Sequence, residues 1–298
     1  MIAGRTLGIA GVGLIGASIG LAATAAGYDV VGWDPSAAHL AAARVRGAIG
    51  AVAPGASALG DRVETLVIAA PVDATIALLR AYVAAPPRAS LVIDVASVKA
   101  PIARAGAELR AFVATHPIAG SERSGPEAAD AVLFRDRTWT YDAGADATPA
   151  LAARARAFIT SLGARPIAIA CDEHDRVVAL TSHLPQVLAV ALGARLNDHL
   201  DDARVADLCG TGIASMLRLG GSSWRVWEAI LSTNARPIAQ ELRSFATLLF
   251  SLAENLDAGR MDAWAERFAA SGSAVARLYG NGTPVELVDR SKPVTDER

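Results

Sequence analysis

The sequence predicts an α/β domain built on a parallel sheet, followed by an all-helical domain. Three observations carry this reading. Short apolar runs alternate with helix-like segments through about residue 170. The strand candidates are continuously apolar, as strands covered on both faces are. From Asp172 onward no convincing strand remains and long helical patterns take over.

Taken in order, Thr6 to Ala10 reads as a short strand, Gly11 to Gly16 breaks it, and Ala17 to Ala26 reads as a small-residue helix. Tyr28 to Trp33 is the next strand, and "SAAHLAAARVRGA" from Ser36 the next helix. Strands follow at Thr65 to Ala70 and Leu91 to Val95, with a helix from Asp73 to Ala84 between them. Phe112 to Ala114 is a shorter apolar run, Ala150 to Ser161 a helix and Ala164 to Ala170 a last strand. Such alternation predicts a doubly wound sheet. Four helical stretches then follow: Glu173 to Leu192, Arg204 to Leu208, Ser223 to Glu254 and Met261 to Leu278. The expected domains are therefore 1–171 and 172–298, with a mobile tail from Gly280.

Composition narrows the function classes. Of 298 residues, 52% are hydrophobic and 19% charged, which excludes a disordered chain. Lys plus Arg is 28 and Asp plus Glu is 30, a formal charge of −2 that gives no general attraction to nucleic acid or an anionic membrane. The first thirty residues are apolar, but five glycines between Gly8 and Gly20 disfavour an uninterrupted membrane helix, and Arg5 is a weak start for a signal peptide. Two cysteines, Cys171 and Cys209, make no disulfide framework, so a reducing cytoplasm is expected. Both read as small buried residues. No H-x-x-x-H or C-x-x-C spacing implies a metal.

Gly11-Val12-Gly13-Leu14-Ile15-Gly16 is G-x-G-x-x-G, placed between a strand and a helix. Gly11 would allow the tight turn, Gly13 the approach of a pyrophosphate, and Gly16 close packing of helix on strand. The helix start offers free N–H groups to phosphates. Asp34 ends the second strand, 18 residues past Gly16, where a carboxylate can bind both ribose hydroxyls and repel a 2′-phosphate. The expectation is a Rossmann-type dinucleotide-binding domain with NAD as cofactor. A second constellation lies in "DVASVK" and "HPIAGSERSGPEAA", which put Ser97 and His116 on neighbouring loops at the carboxyl edge of the sheet. A serine and a histidine beside a nicotinamide suit base catalysis on a substrate hydroxyl.

At this point the chain resembles the prephenate/arogenate dehydrogenase family of tyrosine biosynthesis. The resemblance is carried by "GVGLIGASIG", "AAPVDAT", "DVASVK", "HPIAGSERSGPEAA", "EHDRVVALTSHLPQ" and "MLRLGGSSWRVWEAIL". It implies that His116 is the base on the ring hydroxyl and that Ser97 supports it. It implies that Ser121, Glu122, His183 and Arg218 bind substrate, Arg218 through a carboxylate, and that Trp227 belongs with Arg218. It groups Leu14, Ile15 and Pro71 with the glycines and Asp34 as cofactor-binding. Ser215 stands where the family often has Asp, and Arg123 where it often has Lys. The implied reaction is NAD-dependent oxidative decarboxylation of prephenate to 4-hydroxyphenylpyruvate. The alternative is the same reaction on arogenate, or another NAD-dependent hydroxyacid dehydrogenase. The last would need a lysine base on the long helix, which carries His183 instead. A silent nucleotide sensor would not need Ser97, His116 and Arg218 together.

The resemblance also implies a homodimer built by the helical domains. No segment is seen that would form an attached regulatory domain or a chorismate mutase, so inhibition by tyrosine is expected at the active site. His174 and Asp175 read as cap or interface residues, His39 as a surface residue, His199 as a solvated loop residue, and Lys99 as either structural or ligand-contacting.

Overall fold

The computed structural model describes residues 5–120, 123–144 and 147–279. It forms two compact units, residues 1–239 and 240–298. The first holds an eight-stranded sheet with strands β1 (Arg5–Ala10), β2 (Tyr28–Trp33), β3 (Ala51–Val52), β4 (Thr65–Ile68), β5 (Leu91–Asp94), β6 (Phe112–Pro117), β7 (Thr138–Asp142) and β8 (Arg165–Ala168). The spatial order is β3-β2-β1-β4-β5-β6-β7-β8. β1 to β6 pair with one another in parallel. β7 runs antiparallel to β6, and β8 parallel to β7. The expected all-parallel sheet is thus corrected at β7, whose run Thr138-Trp139-Thr140-Tyr141 is rich in β-favouring residues.

The sheet helices are α1 (Leu14–Ala25), α2 (Ala37–Val45), α3 (Ala56–Gly60), α4 (Val72–Ala84), α5 (Ala100–Gly106) and α6 (Pro149–Ser161). β1, β4 and β5 feed both faces alternately. Leu7 and Ile9 of β1, Val67 of β4 and Leu91 and Ile93 of β5 enter one apolar core. Leu66 and Ile68 of β4 and Val92 of β5 enter the other. This period of two, with both faces covered, is why the strands read as unbroken apolar runs.

Helices alone follow: α7 (Cys171–Val178), α8 (Leu184–Asn197), α9 (Ala203–Asp207), α10 (Thr211–Leu217), α11 (Trp224–Thr233), α12 (Ala235–Asp257) and α13 (Met261–Tyr279). The second unit begins within α12. Two departures from the sequence expectation matter for the site. The long helix after Cys171 contains one π-turn, Ala179–His183, between α7 and α8. The stretch from Ser223 to Glu254 is broken at the buried Asn234 into α11 and α12. The run Cys171–Asn197 is long and apolar enough to cross a membrane. In the fold, however, Val178, Ala179, His183, Leu184, Gln186 and Ala189 along it are buried. The tail from Gly280 lies outside the described residues.

β5 and β6 share only the pairs Val92 with Phe112 and Ile93 with Val113. Beyond them a side chain replaces the ladder. The Asp94 carboxylate accepts from the backbone N–H of Thr115 at 2.9 Å and of Ala96 at 2.9 Å, and also from Lys99 Nζ. Lys99 Nζ donates in addition to the Thr115 carbonyl at 2.6 Å. The Thr115 hydroxyl donates to the Asp94 carbonyl and accepts from Trp139 Nε1 at 2.9 Å. Asp94, Lys99, Thr115 and Trp139 are all buried. Lys99 is therefore structural, held away from solvent. Burial raises the Asp94 carboxyl above its ordinary value, opposed by the Lys99 charge and the hydrogen bonds it accepts.

A buried pair that loses one partner leaves an uncompensated charge. Lys99→Met should therefore cost about 3–5 kcal/mol in urea unfolding. The double variant Asp94→Asn with Lys99→Met should recover part of that loss. Equal stability of Lys99→Met and the parent chain would show that the pair does not carry this junction.

Candidate active site

The glycine turn follows β1 as expected. Gly11 has φ +98°, and a Cβ there would lie 2.3 Å from the Ala69 carbonyl oxygen. At Gly16 a Cβ would lie 1.9 Å from the Gly11 carbonyl oxygen. Both positions are closed to any side chain. A Cβ at Gly13 would instead meet nothing within 4 Å, so the turn leaves open space on the side where a phosphate would approach. Gly13 caps α1 without a side-chain hydrogen bond, and Leu14 and Ile15 begin that helix with no acidic residue in its first turn. The free N–H groups suit an anion. Asp34, just past β2, accepts from Val12 N–H at 2.9 Å and Ser36 N–H at 2.8 Å. Its carboxylate ties the second strand to the glycine turn and keeps lone pairs for further donors. His39, read as a bystander, stands 3.5 Å from Asp34. Pro71 caps α4 after β4 on the same carboxyl edge.

The second constellation lies two strands along. Ser97 is half-buried on the loop after β5 and makes no side-chain hydrogen bond among the described residues. His116 lies within β6, opposite Thr140 of β7, rather than on a loop. The antiparallel pairing with β7 extends β6 to Pro117 and holds the histidine on rigid backbone. Ser121 and Glu122 lie outside the described residues.

His116 sits against two histidines of the long helix. Its Nδ1 is 2.9 Å from His174 Nε2, with the rings edge-on at a centroid distance of 5.1 Å. His174 Nδ1 is in turn 2.9 Å from Asp175 Oδ1. Asp175 also accepts from the backbone N–H of Lys99 at 2.7 Å and of Ala100 at 2.8 Å. His183 contacts Trp227 edge-on at 5.7 Å, and its Nδ1 accepts from Asn234 Nδ2 at 3.2 Å. The same Asn234 Nδ2 donates to the Asp175 carbonyl at 2.9 Å, which fixes the amide as the donor. His183 Nδ1 is then the acceptor, so Nε2 carries the proton. That Nε2–H is buried and finds no acceptor among the described residues.

The π-turn explains how both histidines serve one site. His174 and His183 are nine residues apart, which a uniform α-helix would turn to opposite faces, about 180° apart. A π-turn absorbs one extra residue and reduces the offset to about 80°. Pro185 follows directly, and its missing N–H costs least where the ladder is already interrupted.

Burial favours the neutral form of His116 and of His183. Burial moves the His116 ring well below the ordinary value of 6.5, and the positive charge of His174, Lys99 and His183 pushes it the same way. His116 is nevertheless partly open to solvent, whereas His174 and His183 are buried. Burial pushes His183 down to about 4, opposed by Asp175 and aided by His174.

Arg218 begins a 3-10 turn, Arg218–Gly221, after α10. The turn is tied to α8 by Gln186 Nε2, which donates to the Leu219 carbonyl at 2.7 Å. Arg218 and Ser215 are both exposed, and no described residue pairs with the Arg218 guanidinium. Cys171 is buried, its thiol pushed up chiefly by burial, but Cys209 is exposed, against expectation. His174, Asp175, Asn234 and Gln186 are the site residues that sequence reasoning missed. The motif spacing shows neither the π-turn nor the helix break that aims them inward.

Two family descriptions match the chain. The prephenate dehydrogenase nucleotide-binding domain matches residues 19–168, and the prephenate dehydrogenase dimerization domain matches residues 170–270. A probable prephenate dehydrogenase of Streptomyces niveus, NovF, is 31% identical, over 98% of this chain and 83% of that protein.

The chain belongs to the prephenate dehydrogenase family.

Solved structures agree on the fold. Synechocystis arogenate dehydrogenase aligns at a TM-score of 0.79 and 22% identity, covering 92% of this chain and all of that one. The A. aeolicus prephenate dehydrogenase, solved with hydroxyphenyl propionate and NAD+, aligns at 0.86 and 20%, covering 93% and 99%. The expected fold class, a Rossmann-type domain followed by a helical dimerisation domain, is the one found.

A pH dependence follows from His183. Its folded value of about 4 lies below the ordinary 6.5, so the unfolded chain binds more protons between those limits. The stability this contributes is complete above about 6.5 and is lost as pH falls toward 4. Tm measured across that window should fall less steeply in His183→Gln than in the parent chain. Parallel curves would show that His183 is not held neutral by the fold.

Proposed function

We propose that this family member oxidises and decarboxylates prephenate, with His116 as the base. As a prephenate dehydrogenase family member the chain is an NAD-dependent oxidoreductase. The observation that carries the assignment is the asymmetry of His116. Its Nδ1 is engaged by His174, while Nε2 makes no hydrogen bond among the described residues and the residue is only half-buried at the sheet's carboxyl edge.

The residues fit the cofactor: the open space at Gly13, the uncapped start of α1 and the Asp34 carboxylate lie where a pyrophosphate and a ribose would bind. Asp34, with no arginine beside it in Pro35 or Ser36, favours a free 2′-hydroxyl. When bound, NAD+ supplies the hydride acceptor. His116 Nε2 takes the proton of the ring hydroxyl as its carbon is oxidised. The bond to the ring carboxylate then breaks, CO2 leaves and the electron pair makes the ring aromatic. The phenolic oxygen takes its proton back from His116, so the residue ends neutral. Ser97, at the neighbouring strand end, would contact the same hydroxyl, and the unpartnered His183 Nε2–H would donate to a substrate oxygen. The exposed Arg218 would bind a carboxylate through a charge-assisted bond. Ser121 and Glu122 complete the substrate set proposed from the motif.

We further propose a division of labour at residue 171, with 1–171 binding nucleotide and 172–298 binding substrate and building a homodimer. α12 and α13 leave Phe250, Phe268 and Leu278 more than 70% exposed, an apolar surface that a second copy would cover. Cys171 and Cys209 are unpaired, which fits the cytoplasm.

NADH formation at 340 nm with prephenate should be lowered about 10²–10⁴-fold in kcat by His116→Asn, with NAD+ affinity unchanged. Arg218→Ala should raise KM for prephenate about 10–100-fold with a smaller change in kcat. Normal turnover in His116→Asn removes it as the base, and turnover of arogenate alone moves the substrate while keeping the chemistry. Light scattering after size exclusion should give a dimer, and Phe250→Asp with Phe268→Asp should shift it toward monomer. A monomeric parent chain would overturn the dimer.

A further inference from the structure

We infer that His174 and Asp175 form a relay that sets the tautomer of His116 and steadies its charge, and so are positioning residues for the base. The inference deepens the proposed function and rests on its assignment of His116. It begins at Asp175. This carboxylate accepts from three N–H groups: Lys99 N at 2.7 Å, Ala100 N at 2.8 Å and His174 Nδ1 at 2.9 Å. A carboxylate so engaged acts as an acceptor only, so His174 Nδ1 carries a proton. In neutral His174, Nε2 is then a lone pair and faces His116 Nδ1 at 2.9 Å. Two lone pairs cannot meet at that distance, so His116 Nδ1 carries its own proton. His116 Nε2 is left as the unprotonated nitrogen, the one required of a base.

The alternative would place a second proton on His174, making a cation beside His116 and near Lys99. His174 Nε2 would then donate to His116 Nδ1 and leave the proton on His116 Nε2, the outcome that spectra of the ring nitrogens would reveal. The relay also has a task during turnover. Once Nε2 takes the substrate proton, His116 becomes an imidazolium whose Nδ1–H points through His174 at the Asp175 charge. Ionised groups strengthen such hydrogen bonds. No proton needs to pass to Asp175 for this to hold.

The scaffold makes the relay rigid. His174 and Asp175 are adjacent on α7, both buried. Asp175 is held by the backbone of the β5–α5 loop on one side and, through its carbonyl, by Asn234 on the other. The groups that act electrostatically on His116 are His174 from α7, His183 from the π-turn and Lys99 from the β5–α5 loop. Asp175 and Asp94 lie one hydrogen bond further out, on His174 and Lys99.

The tautomer can be read without activity. Long-range 1H–15N spectra of the ring nitrogens, with the five histidines assigned by substitution, should show His116 protonated at Nδ1 and bare at Nε2 near pH 7.5. A wild-type His116 protonated at Nε2 overturns the relay. Asp175→Asn and His174→Phe should lower kcat with prephenate by about 10²-fold or more, as loss of an orienting carboxylate does in other histidine-base enzymes. NAD+ affinity should stay within about two-fold, the proportion a residue outside the nucleotide site should keep. Removing the Asp175 charge destabilises protonated His116, so the acid limb of kcat/KM should move to lower pH in Asp175→Asn. A lower kcat with an unmoved limb would show a structural role only and overturn the inference. If the parent chain turns over no prephenate, the proposed function fails, while the wild-type spectra still decide the relay. If Asp175→Asn does not fold, those same spectra decide it.

Discussion

The site depends on a buried carboxylate that stands in for a β-ladder. β5 and β6 part company after two paired residues, and from there Asp94 carries the junction by gripping the Thr115 backbone and Lys99. Strands that diverge at their carboxyl ends open the crevice in which α/β proteins bind ligands. Left alone, the divergence would strand backbone polar groups away from water. The Asp94–Lys99–Thr115–Trp139 cluster satisfies them and ties in β7. His116 is the residue after Thr115, so the cluster that closes the sheet also places the proposed base.

The helices are anchored to the same junction. The Lys99 backbone N–H that begins the turn into α5 donates to Asp175, so the junction and the relay share a residue. α7 is thereby fixed against the sheet edge with His174 facing His116. The π-turn rotates His183 toward the same place, and the break at Asn234 puts an amide where it can hold both Asp175 and His183. Each irregularity in the helical region has a partner in the site. Irregular backbone is costly, and here it is placed where it aims a side chain.

The chemical character of the site follows from this enclosure. Burial holds His116 and His183 below the ordinary histidine value, and the neighbouring His174 adds to the effect at both. A base must begin neutral and accept charge only transiently. As the proposed base, His116 meets that demand: burial keeps it neutral, and in the proposed relay Asp175 balances the charge it acquires. Arg218, exposed and without a described partner, is the contrasting feature, a permanent cation proposed to meet a substrate carboxylate.

Much of this was legible in the sequence because it depends on local order. The alternation of apolar runs, G-x-G-x-x-G before a helix and Asp34 after the second strand all act over a few turns of chain, and the structure places them as read. The family was legible in its motifs, and Ser97 lies on the loop after β5 as read. What tertiary structure alone decided is how distant segments meet. The antiparallel β7 extends β6 and moves His116 from loop to strand. The π-turn brings together histidines that a uniform helix would separate. Asp175, read as a cap or interface residue, becomes a hub because a backbone 76 residues away donates to it. Lys99 could be structural or ligand-binding by sequence, and only its burial against Asp94 decides. Periodicity reports which face of an element is apolar; it carries no information about which polar groups the closed fold will leave needing one another.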